Sequence, residues 1–416
     1  MNRLAALDVG SEKIVYLIGE RDIYGDIHII GLGEVQSRGI KKGIINDLAE
    51  AKKSILNAVR EAEEMAGVKV RDIIYGVSGG TTKGTGIKSQ NVKDTISIPS
   101  TSKDIDESHV SRLIDRCLMK SKEDGYEVVY YTPRKYVLDE QMEVESPLGL
   151  AGSKLSVEVH VVKASLTILR NLEKAIMEVG LNPVMKSSNA IASAEAVLTR
   201  EEKEEGVLLI DMGAGLTDYT LYVEGSPHIT GVVPFGGINI TKDLSFMLKI
   251  NMETAEKLKR EVGQAFPKGD EDDETVNIKP KGEDIEIPKS KKEIIEIIYS
   301  RVEEIIDYVI KDIKEKGGRL ELLNNGIVIT GGSAKLKGIR EAVEHMTGLP
   351  VRVASPQGIT GLRERINDPK YSTAVGLLKQ GLLSRGAGVS SNTNSKHNGF
   401  LESIKTKLKN IFEELL

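Results

Sequence analysis

The chain has 416 residues, 29 % of them charged and 40 % hydrophobic, with a formal net charge of −5 at pH 7. That length holds a large core and two or more domains, while the acidic balance and the lack of a basic, aromatic-rich stretch exclude a general nucleic-acid binder. The lone cysteine, Cys117, excludes a disulfide framework and points to a reducing compartment, and no apolar run approaches the roughly eighteen residues that span a bilayer.

The opening "MNRLAALDVG" has no signal-peptide core and runs straight into a strand pattern, so a cytoplasmic protein is expected. "LAALDVGSEKIVYLIGE" reads as strand, Asp-x-Gly turn, strand, with Asp8, Gly10, Ser11 and Lys13 at the turn. A helix follows over 47–67, with Leu48, Ile55, Val59 and Ala62 at helical spacing and Gly67 as its stop. After the strand "DIIYGVSG", residues 81–160 turn strand-rich and polar around one helix, "DESHVSRLIDRCLMKSK", and read as an inserted subdomain. Cys117 in that helix is expected to be a small core residue, and His160, within the buried strand "LSVEVHVVKAS", a satisfied core histidine. After the helix "LTILRNLEKAIMEVG", "GVLLIDMGAGLTDYTLYVEG" (206–225) repeats the opening plan with Asp211, Gly213, Gly215, Thr217 and Asp218, which predicts a duplicated α/β unit. The acidic, Pro/Gly-broken 267–290 predicts an exposed loop or hairpin beside the amphipathic helix "KKEIIEIIYSRVEEIIDYVIKDIKEKG".

The core pattern ends near Leu383, and 384–399 has the Ser-, Asn- and Gly-rich composition of a linker. On a helix of about 100° per residue, Phe400, Leu401, Ile404, Leu408, Ile411, Phe412, Leu415 and Leu416 share one side of 400–416. Lys405, Lys407 and Lys409 flank that side, and Glu402, Glu413 and Glu414 take the rest, a pattern suited to a membrane interface or to docking on a protein.

Asp-x-Gly hairpin turns have a specific use. Glycine lets backbone amides approach phosphate oxygens, and an aspartate at the strand end holds Mg²⁺, usually through water. One such turn is ordinary, but two in matched context predict a cleft gripping phosphates from both sides, with Asp8 and Asp211 as the Mg²⁺ residues. "NNGIVITGGSAKLKGI" adds a strand ending in Gly331, Gly332 and Ser333, where a ring or ribose can lie on bare backbone. In "AEKLKREVG", Glu256 and Lys259 share a helix face, either to contact a nucleoside or as a surface ion pair. Neither a P-loop nor a GxGxxG fingerprint appears.

The order hairpin, hairpin, Gly-Gly turn resembles the actin/Hsp70/sugar-kinase superfamily, and "SSNAIASAEAVL" (187–198) and "KYSTAVGLL" (370–378) resemble its two connecting helices. Within it the chain resembles the FtsA family of bacterial division proteins over essentially its whole length, including "SPLGLAGSKLSVEVHVVKAS", "GGINITKDLSFML" and the terminal amphipathic segment. The resemblance implies an α/β, actin-like duplicated fold, two ribonuclease-H-like halves around a nucleotide cleft, with an FtsA-type insertion. The expected parts are a first half (1–80, 161–200 and 360–383), the insertion (81–160), a second half (201–235 and 319–359) with its subdomain (236–318), the linker (384–399) and the membrane helix (400–416). It also implies ATP and Mg²⁺ as ligands, head-to-tail filaments, membrane lipids, other division proteins and the C-terminal tail of the division GTPase FtsZ as partners, and a place on the cytoplasmic membrane face at the septum. Arg301 and Glu304 are the expected FtsZ-tail contacts. Asn189 stands where hydrolysing relatives place a water-positioning side chain, and because an amide is a poor base, slow or negligible turnover is expected.

Eight apolar side chains, each contributing at most about 1.5–3 kcal/mol and only partly buried at an interface, would also have to order a helix near the minimum stable length. One tail would bind weakly, whereas a filament of tails would gain roughly 10²–10⁴-fold by avidity. The competing readings are another actin-like adaptor, such as one for pilus assembly, and a small-molecule kinase of the same fold, for which no convincing carboxylate base is found.

Overall fold

The computed structural model describes residues 2–81, 84–99, 104–267, 274–283 and 285–386. The expected membrane residues Phe400, Leu401, Ile404, Leu408, Ile411, Phe412, Leu415 and Leu416 lie outside the described residues, as does 387–399 of the expected linker.

The sequence echo extends through five strands of each half. In the first sheet Asn2–Val9, Lys13–Arg21 and Ile27–Gln36 run antiparallel in succession, Asp72–Val77 lies parallel beside the first of them, and Asn182–Ser188 lies beside that. Val207–Met212, Thr217–Val223, Ser226–Val233, Ile327–Thr330 and Val351–Val353 repeat the same order and directions. The first sheet alone carries a short sixth strand, Thr360–Gly361. Both faces of each sheet are covered, which is why "IVYLI" and "VLLI" are continuous apolar runs.

Two helices, Asn189–Val197 and Ser372–Gly386, lie between the sheets. Leu4 and Leu17 from one sheet and Leu209 and Val328 from the other pack around their Ala192, Ala194, Ala374 and Val375. The helices touch backbone to side: a Cβ on Gly376 would sit 1.7 Å from the Ala192 carbonyl oxygen. The second helix runs beyond Leu383 through the start of the expected linker. Its last turn is held by Ser384 Oγ donating to Gln380 O and by Arg385 pairing with Asp72.

The predicted 47–67 helix spans Leu48–Ala66, capped by the Asp47 carboxylate, which accepts from Glu50 N, and stopped by Gly67 in the left-handed region. The acidic 267–290 contains a hairpin, Thr275–Ile278 with Ile287–Ser290, beside the helix Lys291–Glu315.

The inserted region folds as a four-stranded antiparallel sheet, in the order Met142–Val144, Tyr126–Leu138, Lys154–Ser165, Ile87–Ser97. Its helix Glu107–Lys120 packs Leu113, Ile114 and Cys117 on Leu155, Val157 and Val159. Burial pushes the Cys117 thiol up to about 11, so it is a small core residue rather than a nucleophile. Lys154–Ser165 passes residue 160 without a break.

His160 is fully buried and satisfied, with Nδ1 at 2.7 Å from Asn91 Oδ1 and Nε2 at 3.0 Å from Thr230 Oγ1. Ser89 Oγ donates to Thr230 O and accepts from Thr230 N, so these side chains join the insertion to the edge strand of the second half. Burial, with Arg134, His228 and Lys316 adding, pushes the imidazole down to about 3. From about pH 6.5 downward the unfolded chain therefore takes up a proton that the folded chain refuses, and stability falls. His160→Gln is expected to flatten thermal stability against pH between about 6.5 and 4 relative to the parent chain. Parallel curves for the two proteins would refute a buried neutral imidazole.

Candidate functional site

Both Asp-x-Gly turns close in the same way: Gly10 N donates to Lys13 O at 3.0 Å and Gly213 N to Leu216 O at 2.9 Å. The structure brings them face to face where the halves meet, since a Cβ on Gly215 would lie 2.6 Å from Ser11 Oγ. Thr217 is buried behind the second turn, its hydroxyl donating to Phe235 O.

Asp8, Asp211 and Asp218 are each more than nine-tenths buried at this junction. Burial raises all three above the usual carboxylate range. Lys13, with Nζ 3.7 Å from Asp8 Oδ2, counters it at Asp8. At Asp211 the hydroxyls of Ser193 and Thr373, donating to Oδ2, counter it, while Asp8 repels. Asp218 faces Asp211 across the hairpin and accepts from Ser78 Oγ at 2.6 Å. Negative charge thus exceeds positive in a poorly hydrated place, which suits a cation. Among the described residues no three His, Cys, Asp or Glu side chains converge as a direct metal cage. A cation here fits Asp8 and Asp211 through its own water, as Mg²⁺ prefers.

The Gly-Gly turn divides its roles. Gly331 has φ 88°, and a Cβ there would sit 2.3 Å from Asp211 Oδ1, so this glycine lets the turn press against the second hairpin. Gly332 is the open one, with only Lys370 Cβ at 4.0 Å, and provides the bare backbone expected of the pair. Ser333 Oγ donates to Gly213 O at 3.0 Å. Glu256 and Lys259 join the same cluster: Lys259 Nζ donates to Glu256 Oε2, Thr241 Oγ1 and Gly237 O at 2.6, 2.9 and 3.1 Å. The Arg260 guanidinium links Glu256 to Glu12 in the first turn, crossing from one half to the other.

Asn189 begins the first connecting helix one turn before Ser193. Its Oδ1 is buried against Gly76 and has no hydrogen-bond partner among the described residues. Arg301 and Glu304 lie apart from this cluster, on Lys291–Glu315. The Arg301 guanidinium forks onto Asp243 and also meets Glu304.

Sequence reading missed Ser193 and Thr373, because neither stands out among the other polar residues of the two connecting helices, such as Glu195, Ser372 and Lys379. It also missed Lys42, whose backbone has φ 51°. The Lys42 ammonium lies over the Phe235 ring from the other half, 5.3 Å from its centroid.

The family model for cell division protein FtsA matches residues 208–376, and the model for the SHS2 domain inserted in FtsA matches 84–163. Cell division protein FtsA of Neisseria meningitidis serogroup B is 33 % identical over 90 % of this chain and 89 % of its own. That of Bacillus subtilis is 33 % identical over 90 % and 82 %. Among solved structures, a PilM–PilN type IV pilus biogenesis complex superposes with TM-score 0.61 at 14 % identity, covering 91 % of this chain and 98 % of its match. MreB5 of Spiroplasma citri bound to ADP superposes with TM-score 0.55 at 15 % identity, covering 90 % and 95 %. The fold is thus the actin-like one with an FtsA-type inserted domain, and the chain belongs to the FtsA family of cell division proteins.

Proposed function

We propose that the protein is an ATP-binding division protein that polymerises on the cytoplasmic face of the membrane at the septum and tethers FtsZ filaments there, recruiting later division proteins. The observation that carries the nucleotide part is the meeting of two matched turns over buried Asp8 and Asp211. Mg²⁺, when bound, neutralises phosphate charge. Asp8 and Asp211 would hold its water and the two turns, with Ser11 and Lys13, would take the phosphate oxygens, whereas Thr217, expected among these contacts, is fully buried with its hydroxyl committed to Phe235 O and supports the turn from behind. Gly332, Ser333, Glu256 and Lys259 take the nucleoside. The solved ADP and AMPPNP complexes of MreB5 support this reading of the cleft.

Asp211 accepts from Ser193 on one connecting helix and Thr373 on the other. Any ligand that draws on Asp211 changes what holds these helices, so nucleotide acts as a conformational and assembly ligand. Asn189 orients water without taking its proton, and turnover is slow.

We assign the FtsZ-tail contact to 236–318, where Arg301 and Glu304 offer charge and Phe246, 82 % exposed, lies in the last turn of the helix that carries Asp243. Because Asp243 already engages Arg301, an acidic peptide must share or displace it. The lipid contact falls to 400–416.

Liposome co-sedimentation of the full chain and of a chain ending at Gly386, with and without ATP and an FtsZ tail peptide, tests the proposal. The full chain alone is expected to pellet, more strongly with ATP, and to carry the peptide down. If both chains stay in the supernatant, the terminal segment docks on protein and the tether reading fails.

A further inference from the structure

The hairpin between Lys13–Arg21 and Ile27–Gln36 ends in Ile23 and Tyr24, which are 92 % and 85 % exposed, the two most exposed large hydrophobic side chains among the described residues. Their turn is built rather than loose. Asp22 Oδ1 accepts from the backbone N–H groups of Tyr24 and Asp26, both at 2.9 Å, and Asp22 Oδ2 meets His28 Nε2 at 3.0 Å. Arg21 Nε donates to Gly25 O across the base, and Gly25 takes φ 95°. The turn therefore holds two adjacent apolar side chains out into solvent, at a cost that nothing inside the fold repays.

The position of this tip indicates what covers it. The last described helix ends beside it: Arg385 donates to Arg3 O at 3.0 Å and to Asp72 Oδ2 at 2.7 Å, at the sheet end where Asn2 pairs with Arg21. The chain thus leaves for 400–416 from the end of the sheet that carries Ile23 and Tyr24. Fully extended, 387–399 reaches at most about 45 Å, less than the width of a body whose radius of gyration is roughly 21 Å. Attachment through 400–416 therefore keeps this end of the molecule toward the bilayer.

Resting on the membrane-tether reading, we propose that Ile23 and Tyr24 form a second lipid contact, dipping into the interface beside the terminal segment and fixing how the body stands on the membrane. An aliphatic residue next to a tyrosine suits the headgroup boundary, where an amphipathic ring keeps its hydroxyl wet. The Asp22 carboxylate is engaged within the turn, and the exposed Asp26 carboxylate limits the depth to the two side chains. The contact adds to the terminal segment as two linked sites add, through effective concentration.

The chain has no tryptophan, so Tyr24→Trp in the full chain is a single reporter, with Phe246→Trp, in the other half, as its counterpart. The probe is vesicles of phosphatidylethanolamine and phosphatidylglycerol doped with brominated phosphatidylcholine. On binding, Tyr24→Trp is expected to shift to the blue and be quenched by bromine, and Phe246→Trp to do neither. Ile23→Ser with Tyr24→Ser is expected to weaken vesicle partition about tenfold without changing thermal stability. If the full chain pellets while Tyr24→Trp emission stays water-like, this proposal is overturned and the tether reading stands. A blue shift without lipid that grows with protein concentration means that a second copy covers the tip, which also overturns it. If the full chain does not pellet, both readings fall.

Discussion

Asp211→Asn is expected to leave the free protein at least as stable as the parent and to abolish its stabilisation by Mg²⁺ and ATP. Asp8, Asp211 and Asp218 are buried together with one nearby ammonium, Lys13, and each is held above the usual carboxylate range chiefly by burial. An amide removes one of the repelling charges, and its oxygen still accepts from Ser193 or Thr373. In the parent chain, ligand at a hundred times its dissociation constant stabilises by about 2.7 kcal/mol, or roughly 5–10 °C at about 2–4 °C per kcal/mol. The variant should show no such shift. The pH dependence has a definite sign. Where the folded state holds carboxyl protons that the unfolded chain has lost, stability falls as pH rises through the folded values and returns on acidification. As pH falls toward the unfolded carboxylate value of about 3.9, the free parent chain should therefore lose less stability than Asp211→Asn, or gain some. Thermal unfolding with and without Mg²⁺ and ATP at several pH values measures both effects. An undiminished nucleotide shift in the variant would place Asp211 outside the site.

The parts that were legible in the sequence are those in which local pattern and tertiary role coincide. The two Asp-x-Gly turns stand out because each lies between apolar strands, and the sheets repeat that match through five strands. Gly67 and Asp47 mark the ends of their helix because capping is a local hydrogen-bond problem. His160 was legible as a core residue, but its partners Asn91 and Thr230 were not, because they are far away in sequence and one lies in the other half. The same holds for the Glu12–Arg260 link, which joins the first turn to a helix of the second half. Gly331 shows a subtler failure. Its presence marks a close approach, but what approaches is the Asp211 carboxylate oxygen, and Gly332 provides the open surface. The terminal segment is the reverse case, with a full pattern in sequence and no place among the described residues.

Gly376→Ala reverses a rule that holds for most helices. A glycine within a helix costs about 1 kcal/mol relative to alanine, so this change, in the middle of Ser372–Gly386, would ordinarily stabilise. Here the added Cβ would stand 1.7 Å from the Ala192 carbonyl oxygen and 2.4 Å from its carbon. A backbone carbonyl cannot rotate aside as a side chain can, so the two connecting helices must separate within a core shared by both sheets. Overpacking of this kind costs typically 1–3 kcal/mol and sometimes more. With backbone as the obstacle, a net loss of about 2 kcal/mol or more is expected, seen as a melting temperature lower by roughly 4–8 °C. Gly381→Ala in the same helix is the comparison. Its nearest obstacle is the tip of the Leu4 side chain, which can move, so its loss should be smaller. Adding Ala192→Gly to Gly376→Ala should restore nothing, because the clash is with the carbonyl and not with the methyl group. If the double variant recovers, the obstacle is the side chain and the helices have slack. If it does not, the crossing is a fixed fulcrum, and Ser193 and Thr373, which meet at 2.9 Å and share the Asp211 carboxylate, join the nucleotide cleft to it.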